Sequence, residues 1–438
     1  MALIFPFRGV RYSSLAVSDF SSVVTQPYDK ITPSMQEEYY GRHPLNIVRI
    51  IKGKDEIGDT ERENKYTRAG QYLREWIEKG ILIRDQVPSI YAYYQEYEVE
   101  GERKLRKGFI ALARLEEFGK GGVKPHEKTL PAPKQDRLEV MRHTFSNTEQ
   151  IFMLYPDPGH SINTLLDTFT QREPQMYAID EYGVKNYLWA IHDENVIKEI
   201  QNIMKDKELF IADGHHRYET AINFWKEVQE RGLRFNPPES PENCMMTFVN
   251  MFDPGLTILP THRLIYGLSD FKPQAILEEL KKQFTIQEFP VEKTAEFLAT
   301  LKEMGRATHC FGMYFKGSPI IFLLALKDEK AMDSLASEHS PTWKTLDVVI
   351  LHTLILEDIL GITPADVEAE RFVTYRRSAT KALEEVKSGK YDIAFILNPT
   401  KVEQVRDVAT NQEKMPQKST DFFPKLLSGM VLNCFIPV

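Results

Sequence analysis

The segment that organises this chain reads Leu209-Phe-Ile-Ala-Asp-Gly-His-His-Arg-Tyr-Glu-Thr-Ala221. Its apolar start predicts a strand, and the apolar residues from Ala221 onward recur at helical spacing until Gly232 ends the helix. Asp213 is a good N-cap, which places His215, His216 and Arg217 in the first helical turn. N–H groups there lack intrahelical partners and the helix dipole is positive, so the sequence predicts an anion site in which the arginine clamps a phosphate or carboxylate.

Zinc is the alternative ligand for a histidine pair, and the spacing disfavours it. Adjacent histidines point in different directions, and no third ligand follows at His-x-x-x-His or Cys-x-x-Cys spacing. Asp213 either caps the helix or helps a Mg²⁺ ion to bridge phosphate oxygens. The segment is therefore interpreted as a phosphate site.

The composition is that of an ordinary globular protein. Its 438 residues suffice for two domains with separate cores. No stretch approaches the roughly 18 apolar residues of a membrane span, and the N-terminal residues lack the features of a signal peptide, so we expect a cytoplasmic protein with no membrane partner. The cysteines are far apart and predict reduced thiols. They are Cys244, Cys310 and Cys434.

The net charge of −8 at pH 7 bears on the class of partner. A protein that mainly holds a nucleic-acid backbone usually has a basic face, because neutralising phosphates supplies most of its non-specific affinity. The acidic balance therefore disfavours nucleic acid as the main partner, whereas a homodimer remains open.

The segment from Lys124 to Arg137 has three prolines and seven ionisable side chains, which predicts a surface loop. It is either a solvated connection or a loop that closes over a charged ligand. In the second case its basic side chains would face phosphates, and an acid or a histidine would move a proton. The residues concerned are Lys128, Lys134, Arg137, Glu127 and His126.

Other charged residues stand at predicted strand ends or in loops. Asp29 follows a β-rich run that Pro27 stops, a position that suits either a catalytic carboxylate or a turn former. His262 and Arg263 come where another strand is expected to end. Lys418-Ser-Thr is similar to the end of a P-loop, but the upstream glycines are absent and no helix follows, so it is not a Walker motif. Each of these is surface charge unless they converge on one cleft.

The pattern of predicted helices and strands changes beyond Gly267. Helix-like and strand-like segments then alternate as in a compact α+β unit. Residues 341–360 predict one long amphipathic helix that Gly361 ends. The sequence therefore predicts domains at residues 1–267 and 268–438, with the loop 415–425 of the second contributing to the site.

The run from Ala212 to Ala221 resembles the phosphate-binding motif of the ParB/sulfiredoxin-like superfamily, in which a Gly-His-Arg or Gly-Glu-Arg-Arg element opens a helix against nucleotide phosphates. With the further motifs quoted next, the chain is identified as a member of the prokaryotic family called domain of unknown function 1015. Those motifs are Gln26-Pro-Tyr-Asp29, His126-Glu-Lys-Thr with Pro-Lys-Gln-Asp-Arg137, Pro260-Thr-His-Arg263, and Lys418-Ser-Thr with Pro-Lys425. The resemblance spans almost the whole chain. It implies a mixed α+β fold with a ParB/sulfiredoxin-like nucleotide-binding core, large insertions and a C-terminal α+β domain.

The superfamily includes CTP-hydrolysing partition proteins, sulfiredoxins, nucleases and kinases of free L-serine. This chain lacks the cysteine that a sulfiredoxin carries near Gly-His-Arg, and it lacks an evident helix-turn-helix and basic arm. The resemblance thus implies an ATP- or ADP-dependent phosphotransferase that uses Mg²⁺ and a small hydroxyl acceptor, with free L-serine as the leading acceptor. A non-catalytic nucleotide-binding regulator and a ParB-like nuclease or DNA-binding protein are the alternatives.

Roles follow for the candidate residues. Asp29 or Glu127 would take the hydroxyl proton, a role worth on the order of 10²–10⁴ in rate. His216 would neutralise phosphoryl oxygens, and Asp213 would hold Mg²⁺. The nucleotide-binding set comprises Asp213, Gly214, His215, His216, Arg217, Lys128, Lys134, Arg137, His262, Arg263, Lys418 and Lys425.

Overall fold

The computed structural model describes residues 2–127, 129, 131–268 and 271–438. The chain divides into two compact units. The first comprises Met1–Pro125, Thr129–Thr257 and Pro424–Val438, and the second comprises His126–Lys128 and Ile258–Phe423. The compact units thus divide before residue 268, and the C-terminal segment returns to the first unit.

The strands of the described residues are numbered in chain order. They are β1 (Ile4–Phe5), β2 (Val10–Tyr12), β3 (Leu82–Arg84), β4 (Ile90–Val99), β5 (Glu102–Arg114), β6 (Val123–Lys124), β7 (Ser146–Asn147), β8 (Ile151–Tyr155), β9 (Met176–Ile179), β10 (Lys185–Ile191), β11 (Leu209–Asp213), β12 (Asn243–Asn250), β13 (Thr257–Leu259), β14 (His262–Ile265), β15 (Phe284–Pro290), β16 (Cys310–Phe315), β17 (Ile320–Leu326), β18 (Val373–Arg376), β19 (Ile393–Ile396), β20 (Asp421–Phe423) and β21 (Asn433–Cys434).

The α-helices are numbered in the same way. They are α1 (Pro33–Arg42), α2 (Val48–Ile51), α3 (Lys65–Glu78), α4 (Pro131–Thr144), α5 (Ser161–Asp167), α6 (Glu194–Met204), α7 (His215–Glu230), α8 (Pro273–Gln283), α9 (Thr294–Met304), α10 (Ala331–Leu335), α11 (Pro341–Lys344), α12 (Asp347–Ile350), α13 (Pro364–Glu368), α14 (Ala379–Lys387) and α15 (Val402–Thr410). A 3₁₀ turn spans Tyr28–Lys30, and a π-helical segment spans Leu351–Glu357.

A mixed sheet forms the centre of the first unit, in the order β6-β11-β8-β12-β5-β4-β10-β9, with β1 also on β5. β11 runs parallel to β6 and β12 runs parallel to β8, whereas the other pairs are antiparallel. The apolar face of α7 packs on β8, because Tyr218, Ala221 and Phe224 share a buried core with Ile151 and Met153. β11 and α7 therefore form the strand-to-helix junction that the sequence predicts.

Helix α4 replaces the second half of the predicted surface loop. The loop prediction for residues 124–137 is wrong from Pro131 onward, where α4 begins. Proline is tolerated in the first turn of a helix, because the N–H groups of that turn have no intrahelical acceptor. Lys134 and Arg137 thus lie on a helix that contacts α7, and they do not lie on a closing loop.

An antiparallel sheet in the order β15-β17-β16-β19-β14-β18 forms the second unit. Phe297 and Leu301 of α9 and Leu383 and Val386 of α14 pack on it in one buried core. The mixed α+β class is therefore confirmed, while the ParB/sulfiredoxin-like label for the core stays a prediction.

The long helix predicted over residues 341–360 is interrupted. α11 ends at Lys344, α12 begins at Asp347, and the chain then continues as the π-helical segment. Leu346 has an extended backbone and ends the first piece. Apolar periodicity survives such a break, which explains why the sequence pattern did not reveal it. Among the described residues, no helix has both the length and the apolar character needed to cross a bilayer.

Candidate functional site

The junction between β11 and α7 is built around Gly214. Its φ of +96° lies in the left-handed region, and an added Cβ would stand 3.1 Å from Nε of Arg217. A side chain at this position would therefore be strained and crowded, which accounts for the glycine. The turn brings His215, His216 and Arg217 into the first turn of the helix, as predicted.

Asp213 does not cap α7, contrary to the prediction. The N-cap position belongs to Gly214, and no side chain accepts a hydrogen bond from the first turn at that position. Asp213 instead ends β11, and its Oδ1 accepts a hydrogen bond from the Gly214 N–H over 3.0 Å. The N-cap residue of this long helix thus supplies no side-chain oxygen, and the positive end of the helix dipole lies here, where it attracts an anion.

Two cations converge on the Asp213 carboxylate. Nζ of Lys425 lies 3.2 Å from Oδ2, and Nη2 of Arg217 lies 3.9 Å from the same oxygen. Burial alone would raise the pKa of Asp213, but three cations outweigh burial and hold that pKa well below its usual range. They are Lys425, Arg217 and Lys30. Asp213 is therefore a carboxylate that keeps cations at the helix start.

Arg217 is held by more than this ion pair. Its Nη1 donates to the carbonyl oxygen of Gln150, and only 10% of its side chain is exposed. Burial alone would lower its pKa, but three carboxylates outweigh burial and raise it. They belong to Glu149, Asp213 and Asp29. Asp29 therefore lies in the electrostatic neighbourhood of Arg217.

Asp29 lies in the 3₁₀ turn Tyr28–Lys30. Its carboxylate is 34% exposed and stands 3.7 Å from the Lys30 ammonium. Glu149 anchors the turn, because the N–H of Tyr28 donates to Oε1 of Glu149 over 2.9 Å. Asp29 is thus a solvent-accessible carboxylate on a fixed turn.

Lys134 and Arg137 have partners that differ from those predicted. Nζ of Lys134 lies 2.7 Å from Oε2 of Glu219 on α7. Nη1 of Arg137 lies 3.1 Å from Oε2 of Glu149, and both side chains are more than nine-tenths buried. The interpretation of both cations as open phosphate ligands on a mobile loop is therefore corrected, because carboxylates already neutralise them in this structure.

Three residues that the sequence did not single out hold the site together. Glu149 accepts from Tyr28 and Ser428 and pairs with Arg137. Arg106 is 1% exposed and donates to the carbonyl oxygen of Pro424 over 2.6 Å, while Nε2 of Gln95 donates to that of Lys425 over 2.9 Å. These partners are far apart along the chain, so no local pattern could have revealed them.

The remaining predicted residues lie in the second unit. Glu127 forms a β-bridge with Met415, and Lys418 is exposed with a φ of +58°. Nδ1 of His262 accepts from the Leu397 N–H over 3.2 Å, and burial and the neighbouring Arg263 lower the pKa of His262 to about 4. Lys128 lies outside the described residues.

The donor set for a metal is sparse. In the part of the chain that the structure describes, no group of three or more His, Cys, Asp or Glu side chains could hold a metal ion. Both Asp213 oxygens already have partners, namely the Gly214 N–H and the Lys425 ammonium. A preformed protein cage for Mg²⁺ around Asp213 is therefore not found among these residues.

A cleft in the first unit adjoins Arg137. It has a volume of about 210 Å³ and carries both signs of charge on its wall. The charged lining residues are Lys52, Lys65, Asp55, Asp136 and Arg137. Nζ of Lys52 donates to the backbone oxygens of Tyr28 and Ile31 over 2.8 and 2.6 Å, so the cleft borders the turn that carries Asp29.

Comparison with known proteins gives a family. The family model described as "Protein of unknown function (DUF1015)" matches residues 4–349. A search of curated proteins found no significant match.

Solved structures resemble the chain only weakly. A free serine kinase in complex with AMP aligns with a TM-score of 0.34 at 13% identity and covers 69% of this chain and 83% of that chain. A C-terminally truncated SbnI from Staphylococcus aureus has a TM-score of 0.34 at 12% identity, with 75% and 87% covered. A conserved hypothetical protein from Pyrococcus furiosus has a TM-score of 0.32 at 14% identity, with 72% and 91% covered. At these TM-scores the alignments carry no argument about the site.

Proposed function

The chain belongs to the DUF1015 family, and we propose that it is a nucleotide-dependent phosphotransferase that acts on a small hydroxyl compound. The observation that carries this proposal is the pair of cations, Lys425 and Arg217, that Asp213 holds at the start of α7. A terminal phosphate would add its own negative charge where backbone N–H groups and two cations already converge. ATP or ADP is the proposed donor.

Asp213 is also the competitor that an arriving phosphate meets at this site. In the structure its carboxylate neutralises the cations, so an arriving phosphate competes with it for Lys425 and Arg217. The guanidinium is further fixed on the Gln150 carbonyl, whereas the Lys425 ammonium is a compact charge on a long flexible stem. We therefore assign Arg217 to orientation and Lys425 to the terminal phosphate.

The reaction forms one bond and breaks one. The acceptor oxygen forms a bond to the terminal phosphorus as the bond from that phosphorus to the bridging oxygen breaks, and the nucleotide leaves with the electron pair. Asp29 takes the hydroxyl proton, because its carboxylate is accessible and lies on a turn next to Arg217.

Mg²⁺, when bound, supplies positive charge between phosphate oxygens during transfer. Such ions usually bind through one or two carboxylates together with substrate phosphates, without a full protein cage. Asp29 is assigned to the proton, so Asp213 remains the proposed protein ligand of Mg²⁺, and a bound ion would compete with Lys425 for its Oδ2.

The 210 Å³ cleft suits a small zwitterionic acceptor such as free L-serine. Lys52 and Lys65 would attract its carboxylate, while Asp55 and Asp136 would attract its ammonium group. The cleft borders the Asp29 turn, so an acceptor bound there would have its hydroxyl close to the proposed base.

The test is incubation of the full chain with L-serine, Mg²⁺ and either ATP or ADP, followed by analysis for O-phosphoserine. We expect product and a loss of at least tenfold for Arg217→Gln, with the exposed Arg231→Gln on the same helix as the matched control. Absence of product together with absence of nucleotide turnover would overturn the proposal. Stabilisation by nucleotide without turnover would instead indicate a binding regulator.

A further inference from the structure

Arg263 of the second unit is a buried cation that is held away from solvent. It is 1% exposed, and its guanidinium carbon lies 5.6 Å from the ring centre of Tyr375, its partner across β14 and β18. Among the described residues, no carboxylate forms an ion pair with Arg263. Burying an uncompensated charge is energetically costly. Such a cost calls for a negative charge, which the described residues do not provide.

The guanidinium uses only part of its hydrogen-bonding capacity. Nη1 donates to the carbonyl oxygen of Thr261, and Nη2 donates to that of Lys418 over 3.2 Å. Nε is buried and has no partner among the described residues. The Nε edge is one of the two edges through which arginine binds a carboxylate or phosphate with parallel hydrogen bonds.

Two further buried polar atoms belong to Tyr375, whose ring faces the guanidinium, and to His352, whose pKa the charge of Arg263 lowers. Oη of Tyr375 and Nε2 of His352 have no hydrogen-bond partner in the part of the chain that is described. His352 lies in the π-helical segment Leu351–Glu357, a rare backbone form that is frequent at functional sites. Burial, followed by the charge of Arg263, lowers the pKa of His352. The imidazole is therefore neutral, and its Nε2–H tautomer can donate to an anion.

We propose that the second unit binds a small oxyanion, a carboxylate or a phosphate, through Nε of Arg263, Oη of Tyr375 and Nε2 of His352. The site uses none of the residues of the Asp213 cluster, and it goes beyond the proposed transfer reaction. One anion satisfies the buried cation and both buried donors at once. Arg263 therefore binds its ligand together with residues of its own unit.

Tyr375→Phe gives the sharpest test, because it deletes only the hydroxyl. In chloride buffer the variant unfolds at the same temperature as the wild type or higher, since a buried hydroxyl without a partner no longer has to be desolvated. Sodium phosphate or sodium acetate, added at constant ionic strength, stabilises the wild type, and we expect about tenfold weaker binding by Tyr375→Phe. Tyr266→Phe in the same unit, whose hydroxyl donates to the Glu370 carbonyl, is the matched control and keeps wild-type affinity.

The two anions distinguish the sources of the charge, and a second background separates the sites. Tighter binding of acetate than of phosphate indicates a carboxylate ligand, and the reverse order indicates a phosphate. The Tyr375→Phe effect must persist when Arg217 is also changed to Gln, because the first unit then no longer contributes its phosphate site. Equal affinities of wild type and Tyr375→Phe for both anions, or an effect that disappears in the Arg217→Gln background, overturn the proposal. In the Arg217→Gln background, Arg263→Gln should bind neither anion, and if that variant fails to fold, Tyr375→Phe alone decides the question.

Discussion

The ammonium group of Lys425 lies 3.2 Å from Oδ2 of Asp213, and the lysine side chain is 6% exposed. The pair joins the C-terminal segment of the first unit to the turn between β11 and α7. Arg106 and Gln95 fix the backbone oxygens on either side of this lysine, so the contact is positioned from two directions. A lysine from a distant part of the chain thus supplies positive charge at the start of α7.

Lys425→Met should lower the free energy of unfolding at pH 7 by about 1–3 kcal/mol, because it leaves Asp213 with a more distant cation only. Urea unfolding measures this change. The exposed Lys79→Met is the control and should stay within about 0.5 kcal/mol of the wild type.

The same variant should alter the acid limb of the stability profile. Because the cations depress the folded-state pKa of Asp213, its stabilisation is complete above the unfolded pKa of about 3.9 and is lost as the pH falls below that value. The difference between wild type and Lys425→Met should therefore narrow as the pH is lowered from about 5 to about 2. A difference that stays constant over this range would contradict the electrostatic account.

Arg217→Gln should weaken nucleotide binding by at least about tenfold, because it removes the charge that orients the phosphate. Titration calorimetry with ADP provides the measurement. Arg231→Gln at the other end of α7 removes an arginine of the same helix that pairs with Glu227, and it should bind as the wild type does. Equal losses in the two variants would mean that net charge, and not the helix start, determines affinity.

Arg137 and Glu149 should behave as a structural pair. Arg137→Met should cost about 3–5 kcal/mol, because it leaves a buried carboxylate without its cation. Adding Glu149→Gln should recover part of that loss, giving a coupling energy of about 1–3 kcal/mol in a double-mutant cycle. The exposed pair Lys198 and Glu194, treated identically, should couple by less than about 0.5 kcal/mol. Additive losses for the buried pair would argue that each side chain acts separately.

His262 should make stability depend on pH in the second unit. Its folded-state pKa of about 4 lies below the unfolded value of about 6.5, so the unfolded state binds the proton first. Stability is complete above about pH 6.5 and should fall by up to about 3 kcal/mol as the pH drops towards 4. His262→Gln should flatten this slope, whereas the exposed His192→Gln should leave it unchanged. An imidazole signal of His262 that titrates near pH 6.5 would refute the assignment.

The junction at Gly214 was predictable because every signal there is local. Apolar residues at strand and helix spacing fixed the two elements, and the sequence Asp-Gly indicated the turn between them. Only the predicted N-cap residue was wrong. Gly214, with a φ of +96°, occupies the N-cap position, for which aspartate is a preferred residue. The family was likewise predictable from motifs, and the match to residues 4–349 confirms it.

The partners of the charged residues were not predictable in the same way. Arg137 looks from the sequence like a cation in a proline-rich loop, yet it lies on α4 and is neutralised by Glu149. Glu149 in turn binds Tyr28 and Ser428, which stand far before and far after it in the chain. Such contacts depend on tertiary structure, and no spacing rule in one sequence carries them.

The return of Pro424–Val438 to the first unit has a consequence for synthesis. A ribosome makes the N-terminal residues first, so β11 and α7 can form their junction well before the chain reaches the second unit. Lys425 can pair with Asp213 and approach Arg217 only after residues 258–423 have been synthesised. The charged centre of the first unit is thus completed only after the second unit has been synthesised, and a shorter nascent chain lacks the cation that we assign to the terminal phosphate.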